Sequence, residues 1–303
     1  MNPAIFLLLP LFAAEPAKAE ALSASGTVDA LNAAFAKHDP ARATELLAPD
    51  VTIAFVIDVA GGGRDKTMPD ESWSGREDAE DFIRTYLPGW EATNGDVQAA
   101  GESATWSAAI ASDRFRKLGI DRVSVKAEAR VRNGEIRFLT LTADPESSAK
   151  LMRAIPEGNK AMARRFVEQA NKRNYAMLDE IISPMYQQHT MMPVAPGLKG
   201  VKDFYAEFGA AFPDHNYAIE DLLVDGDRVV VRMTVRMTHK GEFMGIAATG
   251  KAASMQKIDI FRCRGGTTVE HWDAVDRLGL LQQLGVVPKI QRWQASPGYD
   301  GFR

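Results

Sequence analysis

The residues best placed for chemistry lie together near the C-terminal end, as Val269-Glu270-His271-Trp272-Asp273. On a strand, alternation gives Val269, His271 and Asp273 one face and Glu270 and Trp272 the other. An imidazole and a carboxylate two residues apart would then project side by side into whatever that face covers. In an apolar cavity, desolvation raises a carboxylate's affinity for a proton and makes it a better base near neutral pH. The adjoining imidazole could donate a proton or a hydrogen bond to a developing oxyanion. A helix cap is the competing use, because either Asp273 or Asp276 would cap a helix over Arg277–Leu284.

The strand before it, Ala252–Arg262, puts Lys257 and Asp259 on a common face. A hairpin around Gly265-Gly266 brings either Asp259 or Ile258 opposite Asp273, and a one-residue shift in register decides which. With Asp259 opposite, two carboxylates share a site and one titrates high. With Ile258 opposite, Asp273 stands against an apolar wall. Four of the five histidines (His189, His215, His239 and His271) fall in this half of the chain. His189 and His215 each follow an element that ends at the surface, so solvent and pocket positions are both open to them. His239, in the turn Thr238-His239-Lys240-Gly241, is expected to be exposed.

Other chemistries fit less well. No Gly-x-Ser-x-Gly elbow is present, and Gly61-Gly62-Gly63 lacks the Lys-Ser/Thr of a phosphate loop. The single cysteine, Cys263, permits no intrachain disulfide and is read as structural. The histidines lack the close spacing of a zinc site, so neither a metal nor a cofactor is expected. With 303 residues, 46% hydrophobic, 25% charged and a net charge of -4, the composition is that of a soluble globular protein without a nucleic-acid partner.

The elements that must position these residues recur along the chain. Lys37–Pro49 can be laid on Lys172–Pro184, then Gly75–Pro88 on Gly200–Pro213, then Ile136 on Val269. The order is kept, so the chain reads as a diverged duplication. Each copy opens with an amphipathic helix, Thr27–Lys37 or Lys160–Arg173. A short helix ended by Pro49 or Pro184 follows, then an extended stretch, Val51–Val59 or Met185–Met192. A third helix, Glu77–Tyr86 or Val201–Phe212, closes at a proline. Strands come after, with turns at Asn133-Gly134, Asp225-Gly226 and Gly265-Gly266. Helices followed by antiparallel strands make each copy an α+β domain. The expected organisation is a signal peptide over 1–19, a first domain over 20–145, a linker over 146–158, a second domain over 159–290 and a tail over 291–303. The signal rests on the apolar run Ile5–Ala14 before Ala17-Lys18-Ala19, and it implies an exported, periplasmic or secreted protein without a membrane span.

Several segments of the second copy resemble the SnoaL-like polyketide cyclases. They are Asn159–Arg173, Tyr186-Gln187-Gln188-His189, Phe212-Pro213-Asp214, Asp221–Val229, Thr238–Ile246, Ile258–Arg262, Val269–Asp273 and Leu280–Gly285. The first copy resembles only the broader superfamily named after nuclear transport factor 2. The resemblance implies two tandem cone-shaped domains, each a curved antiparallel sheet wrapped by about three helices around an apolar pocket. It implies an Asp acid/base, matched by Asp273, with His271 and His189 beside it. Asp259, His215, Trp272 and Tyr186 are the expected substrate contacts. At the positions of His271 and Asp273 the first copy aligns Phe138 and Thr140, so its site is expected to be degenerate. The implied function is a cofactor-independent cyclase, isomerase or lyase that abstracts a proton from a small apolar carbonyl substrate in an aldol-type step. The rival is a non-catalytic periplasmic small-ligand-binding or scaffolding protein. The sheets would pair either within one chain or in a homodimer.

Overall fold

A computed structural model describes residues 21–57, 71–190 and 194–289; the expected signal peptide and the expected tail lie outside them. The first half holds helices α1 (Ala24–Ala36), α2 (Pro40–Glu45), α3 (Arg76–Tyr86) and α4 (Asp113–Lys117). Its strands are β1 (Leu47–Ile57), β2 (Glu71–Ser74), β3 (Glu91–Asn94), β4 (Gln98–Ala100), β5 (Ser103–Ala111), β6 (Val123–Arg132) and β7 (Glu135–Ala143). The second half holds α5 (Pro145–Asn171), α6 (Leu178–Ile181), β8 (Ile182–His189), α7 (Gly197–Ala211), β9 (Asn216–Asp225), β10 (Arg228–Thr238), β11 (Ala252–Arg264), β12 (Thr267–Val275) and α8 (Arg277–Leu284).

Two separate curled sheets result, one of order β2-β1-β7-β6-β5-β3 with β4 on β5, the other β8-β12-β11-β10-β9. Each is antiparallel except for one parallel pair, β1 with β7 and β8 with β12. That pair arises because the strand after the short helix inserts beside the last strand of its own copy. Both parallel pairs carry an irregularity where a proline, Pro49 or Pro184, lacks the N–H that a ladder needs. The two prolines therefore sit inside the strands rather than ending the helices.

The expected linker over 146–158 is instead the first half of α5. Asp144 caps it by accepting from Ser147 N at 2.7 Å, and Pro145 occupies the first turn, where its missing N–H costs nothing. Pro156 lies inside the helix and removes one interior hydrogen bond. The helix continues because Leu151, Ile155, Asn159, Ala163, Val167 and Ala170 form one buried stripe at helical spacing. Leu151 and Ile155 join the first core, and Ala163, Val167 and Ala170 join the second.

The halves also meet where the turn between β11 and β12 reaches β2 and α3. Arg264 pairs with Asp78 at 2.6 Å and Asp81 at 3.2 Å, and lies over the Trp73 ring. Gly265 N donates to Glu71 Oε1 at 2.8 Å. The outward faces of the two sheets do not cover each other, since Phe138 is 51% exposed and Leu223 65%.

Register fixes the correspondence between copies. Ala127 pairs with Leu141 and Ala129 with Leu139 in the first sheet, as Asp259 pairs with Asp273 and Phe261 with His271 in the second. Irregularities at Arg130/Val131 and Arg262/Cys263 coincide at the same offset. His271 and Asp273 therefore match Leu139 and Leu141, one residue away from the expected Phe138 and Thr140. Phe138 faces solvent and could not have lined an interior.

Candidate active site in the second sheet

On β11 the inward face carries Met255, Lys257, Asp259 and Phe261, and on β12 it carries Thr268, His271, Asp273 and Val275, with Val269 left out of the pairing at the irregularity. The hairpin register places Asp259 directly opposite Asp273. Helices α5 and α7 close over this face with Phe166, Tyr205 and Phe208, leaving a cavity of about 140 Å³. An engineered apolar cavity of roughly 150 Å³ takes up benzene, so this space suits about one ring, with its substituents at the mouth. Tyr186, Gln188 and Thr190 enter it from β8 and the residue that follows. The corresponding space in the first half is about 20 Å³, because Phe35, Phe82, Trp90 and Trp106 crowd it.

The polar groups form a chain across the cavity wall. Lys257 Nζ lies 3.1 Å from Asp259 Oδ1, which also lies 3.0 Å from His271 Nε2. His271 Nδ1 is 3.1 Å from Gln188 Oε1, to which the Tyr186 hydroxyl also donates. Phe261 stacks on the His271 ring with centroids 4.9 Å apart. Both ring nitrogens of His271 therefore face oxygens, and a neutral ring can donate to only one of them. Thr190 Oγ1 donates to Asp273 Oδ1 at 2.7 Å, and Arg277 reaches Thr190 at 3.5 Å.

Burial and charge act against each other here. Burial alone would raise the Asp259 carboxyl, but Lys257 and His271 outweigh it and hold the group below its usual range. Burial likewise works against the Lys257 ammonium, and Asp259 reverses the effect and raises it. The shared-site expectation of one high-titrating carboxylate therefore fails for Asp259, because a lysine supplies the counter-charge. Burial first, then Asp259 and Asp273, push the Tyr186 hydroxyl upward, so it remains a donor.

The structure brings Asp273, His271, Asp259 and Tyr186 together and separates the other expected site residues from them. His189 lies on the opposite face, stacked on Trp272 at 4.7 Å and 3.1 Å from Glu270 Oε2. Alternation explains this, since Tyr186 and Gln188 turn inward and His189 must turn outward. Trp272, with Arg228 over its ring, belongs to that outer face and does not line the cavity. His215 is fully buried outside the cavity, with Nδ1 2.7 Å from Phe212 O, and burial lowers its affinity for a proton. His239, expected in solvent, is also fully buried, against Phe212. The cap of α8 is Asp276, which accepts from Gly279 N at 2.8 Å, so Asp273 is not spent there. Lys257, Gln188, Thr190 and Arg277 were not anticipated as cavity residues. A lysine interrupting the alternating apolar face of β11 was the one available signal.

Among the described residues, no group of three or more His, Cys, Asp or Glu side chains could hold a metal ion. No described helix is long and apolar enough to cross a membrane.

Comparison with known proteins bears on residues 160–284, which match the family model for SnoaL-like polyketide cyclase. TsrD from Streptomyces laurentii is 30% identical, over 43% of this chain and 97% of its own, with a TM-score of 0.41. AclR from Streptomyces galilaeus, a candidate hydroxylase, is 28% identical over 45% of this chain and 87% of its own, with a TM-score of 0.42. IdmH from Streptomyces antibioticus, a candidate polyketide cyclase, is 29% identical over 42% and 99%, with a TM-score of 0.39. No curated protein gives a match.

Proposed function

Because the chain belongs to the SnoaL-like polyketide cyclase family through residues 160–284, we propose that its second half is an acid–base enzyme for a small, largely apolar carbonyl compound. The observation that carries this reading is Asp273 on the wall of a ring-sized apolar cavity, beside the buried His271–Asp259–Lys257 chain. Asp273 takes a proton from the carbon next to the carbonyl. The electron pair moves into an enolate, which then attacks a second carbonyl or is reprotonated elsewhere. Thr190, donating to Oδ1, keeps the carboxylate oriented. His271 is held by Asp259 and Gln188 on both sides of its ring, so it acts through its position. General acid–base help of this kind is worth roughly 10²–10⁴-fold in rate.

We further infer export, from the apolar run and small-residue site over 1–19. The first half contributes the shared helix α5 and the Arg264 contacts, which brace the hairpin carrying Asp259 and Asp273. The test is mass spectrometry of small molecules released from the protein purified from its own host, wild type against Asp273→Asn. A carbonyl compound held unconverted only by the variant supports catalysis. The same unaltered molecule in both would make this a binding protein.

A further inference from the structure

Lys257 and Asp259 are an ion pair that the fold does not need. At the same register positions the first half carries Val125 and Ala127, on a strand paired in the same way. That half folds around a packed interior with no ion pair there. Burying such a pair is costly, and apolar replacements of similar size are often neutral or stabilising. The second half keeps the pair where the cavity is open, and both residues line it.

The pair is also incompletely satisfied. Asp259 is 1% exposed, and its Oδ2 is buried without a hydrogen-bond partner. Among the described residues, the Lys257 ammonium has Asp259 as its only hydrogen-bond partner, while an ammonium carries three donors. Buried polar groups are ordinarily partnered, so one unpartnered acceptor and spare donors stand side by side among the residues that line the cavity. A ligand that partners them carries the complementary set, an acceptor oxygen next to an O–H or N–H.

We propose that Lys257 and Asp259 form a ligand-reading pair, selecting ring-sized apolar molecules that carry a carbonyl-type acceptor beside a hydroxyl, enol or amide donor. The carbonyl oxygen accepts from Lys257 Nζ, and the neighbouring O–H or N–H donates to Asp259 Oδ2. This rests on the reading of the cavity as the substrate site and adds the chemical class of what enters it. It also supplies the direct donor to the carbonyl that His271, engaged on both ring nitrogens, does not offer.

The experiment measures affinities of the full-length protein for benzamide, acetophenone and cumene by titration calorimetry. The three are near-isosteric and carry, respectively, acceptor plus donor, acceptor alone, and neither. Wild type should bind benzamide roughly 10- to 100-fold more tightly than acetophenone, the range of one hydrogen bond to a charged group. The double variant Lys257→Val/Asp259→Ala, which copies the first half, should lose that preference and still bind cumene. Equal affinity for benzamide and acetophenone in wild type would overturn the proposal, as would a preference that survives in the double variant. Failure of all three to bind wild type would remove the ring-sized cavity and the proposal with it. Turnover by Asp273 is not read here, so a failure of the catalytic reading leaves the result standing, and the reverse also holds.

Discussion

Removing the Lys257 ammonium alone should damage the second half far more than removing both members of its ion pair. Lys257→Met leaves the Asp259 carboxylate 1% exposed, with His271 as its remaining neighbour and Oδ2 still unpartnered. Breaking a buried pair in this way costs about 3–5 kcal/mol, whereas apolar replacement of both is often neutral or better. At roughly 2–4 °C per kcal/mol for a unit of this size class, the single variant should melt roughly 6–20 °C lower. Lys257→Val/Asp259→Ala should stay within about 4 °C of wild type, because Val125 and Ala127 already serve at these positions in the first half. Scanning calorimetry resolves the outcome, with near-ultraviolet circular dichroism confirming native packing. A double variant that melts as low as Lys257→Met would refute the argument, since the pair would then be integral to the fold.

Three further outcomes follow from the same geometry. The Cys263 thiol, pushed up to about 12 first by burial and then by Asp227, should resist a thiol reagent in the native protein and react once it is unfolded; rapid native labelling would contradict its placement. His189→Ala should leave turnover and ligand affinity within about twofold, because the ring stacks on Trp272 outside the cavity; a loss of 100-fold would return His189 to the site. The pH dependence of the pair is set by two opposite shifts. Asp259 is lowered in the folded state, so its contribution is present above the unfolded carboxylate pKa of about 4 and lost as pH falls through the folded value. Lys257 is raised, so its contribution is present below about 10.4 and lost as pH rises through the folded value. The stability difference between wild type and the double variant should therefore be flat between roughly pH 5 and 9 in urea titrations. A slope within that window would contradict this account of the pair.

The sequence carried the α+β class, the duplication and the shared face of His271 and Asp273, because alternation and turn residues are local signals. What it could not carry was phase. His189 needed the parity of β8, which depends on where the strand enters its parallel pairing past Pro184. The match of Phe138 to His271 failed by one residue because it laid the aliphatic Ile136 on the aliphatic Val269, whereas the shared register places Ile136 level with Thr268. The breakers over 146–158 suggested a linker, yet the Asp144 cap and the stripe from Leu151 to Ala170 outweighed Pro156 and Gly158. Lys257 was visible on the face of Asp259, but its partner became clear only once three-dimensional packing buried them both.

The central claim is that Asp273 moves a proton next to a carbonyl, and hydrogen–deuterium exchange tests it without knowledge of the natural substrate. The α-hydrogens of 2-tetralone in heavy water, followed by proton magnetic resonance, report the step directly. Wild-type protein should accelerate their exchange over buffer by roughly 10²-fold or more, and Asp273→Asn should return the rate to that of buffer. Equal acceleration by wild type and Asp273→Asn would contradict the account.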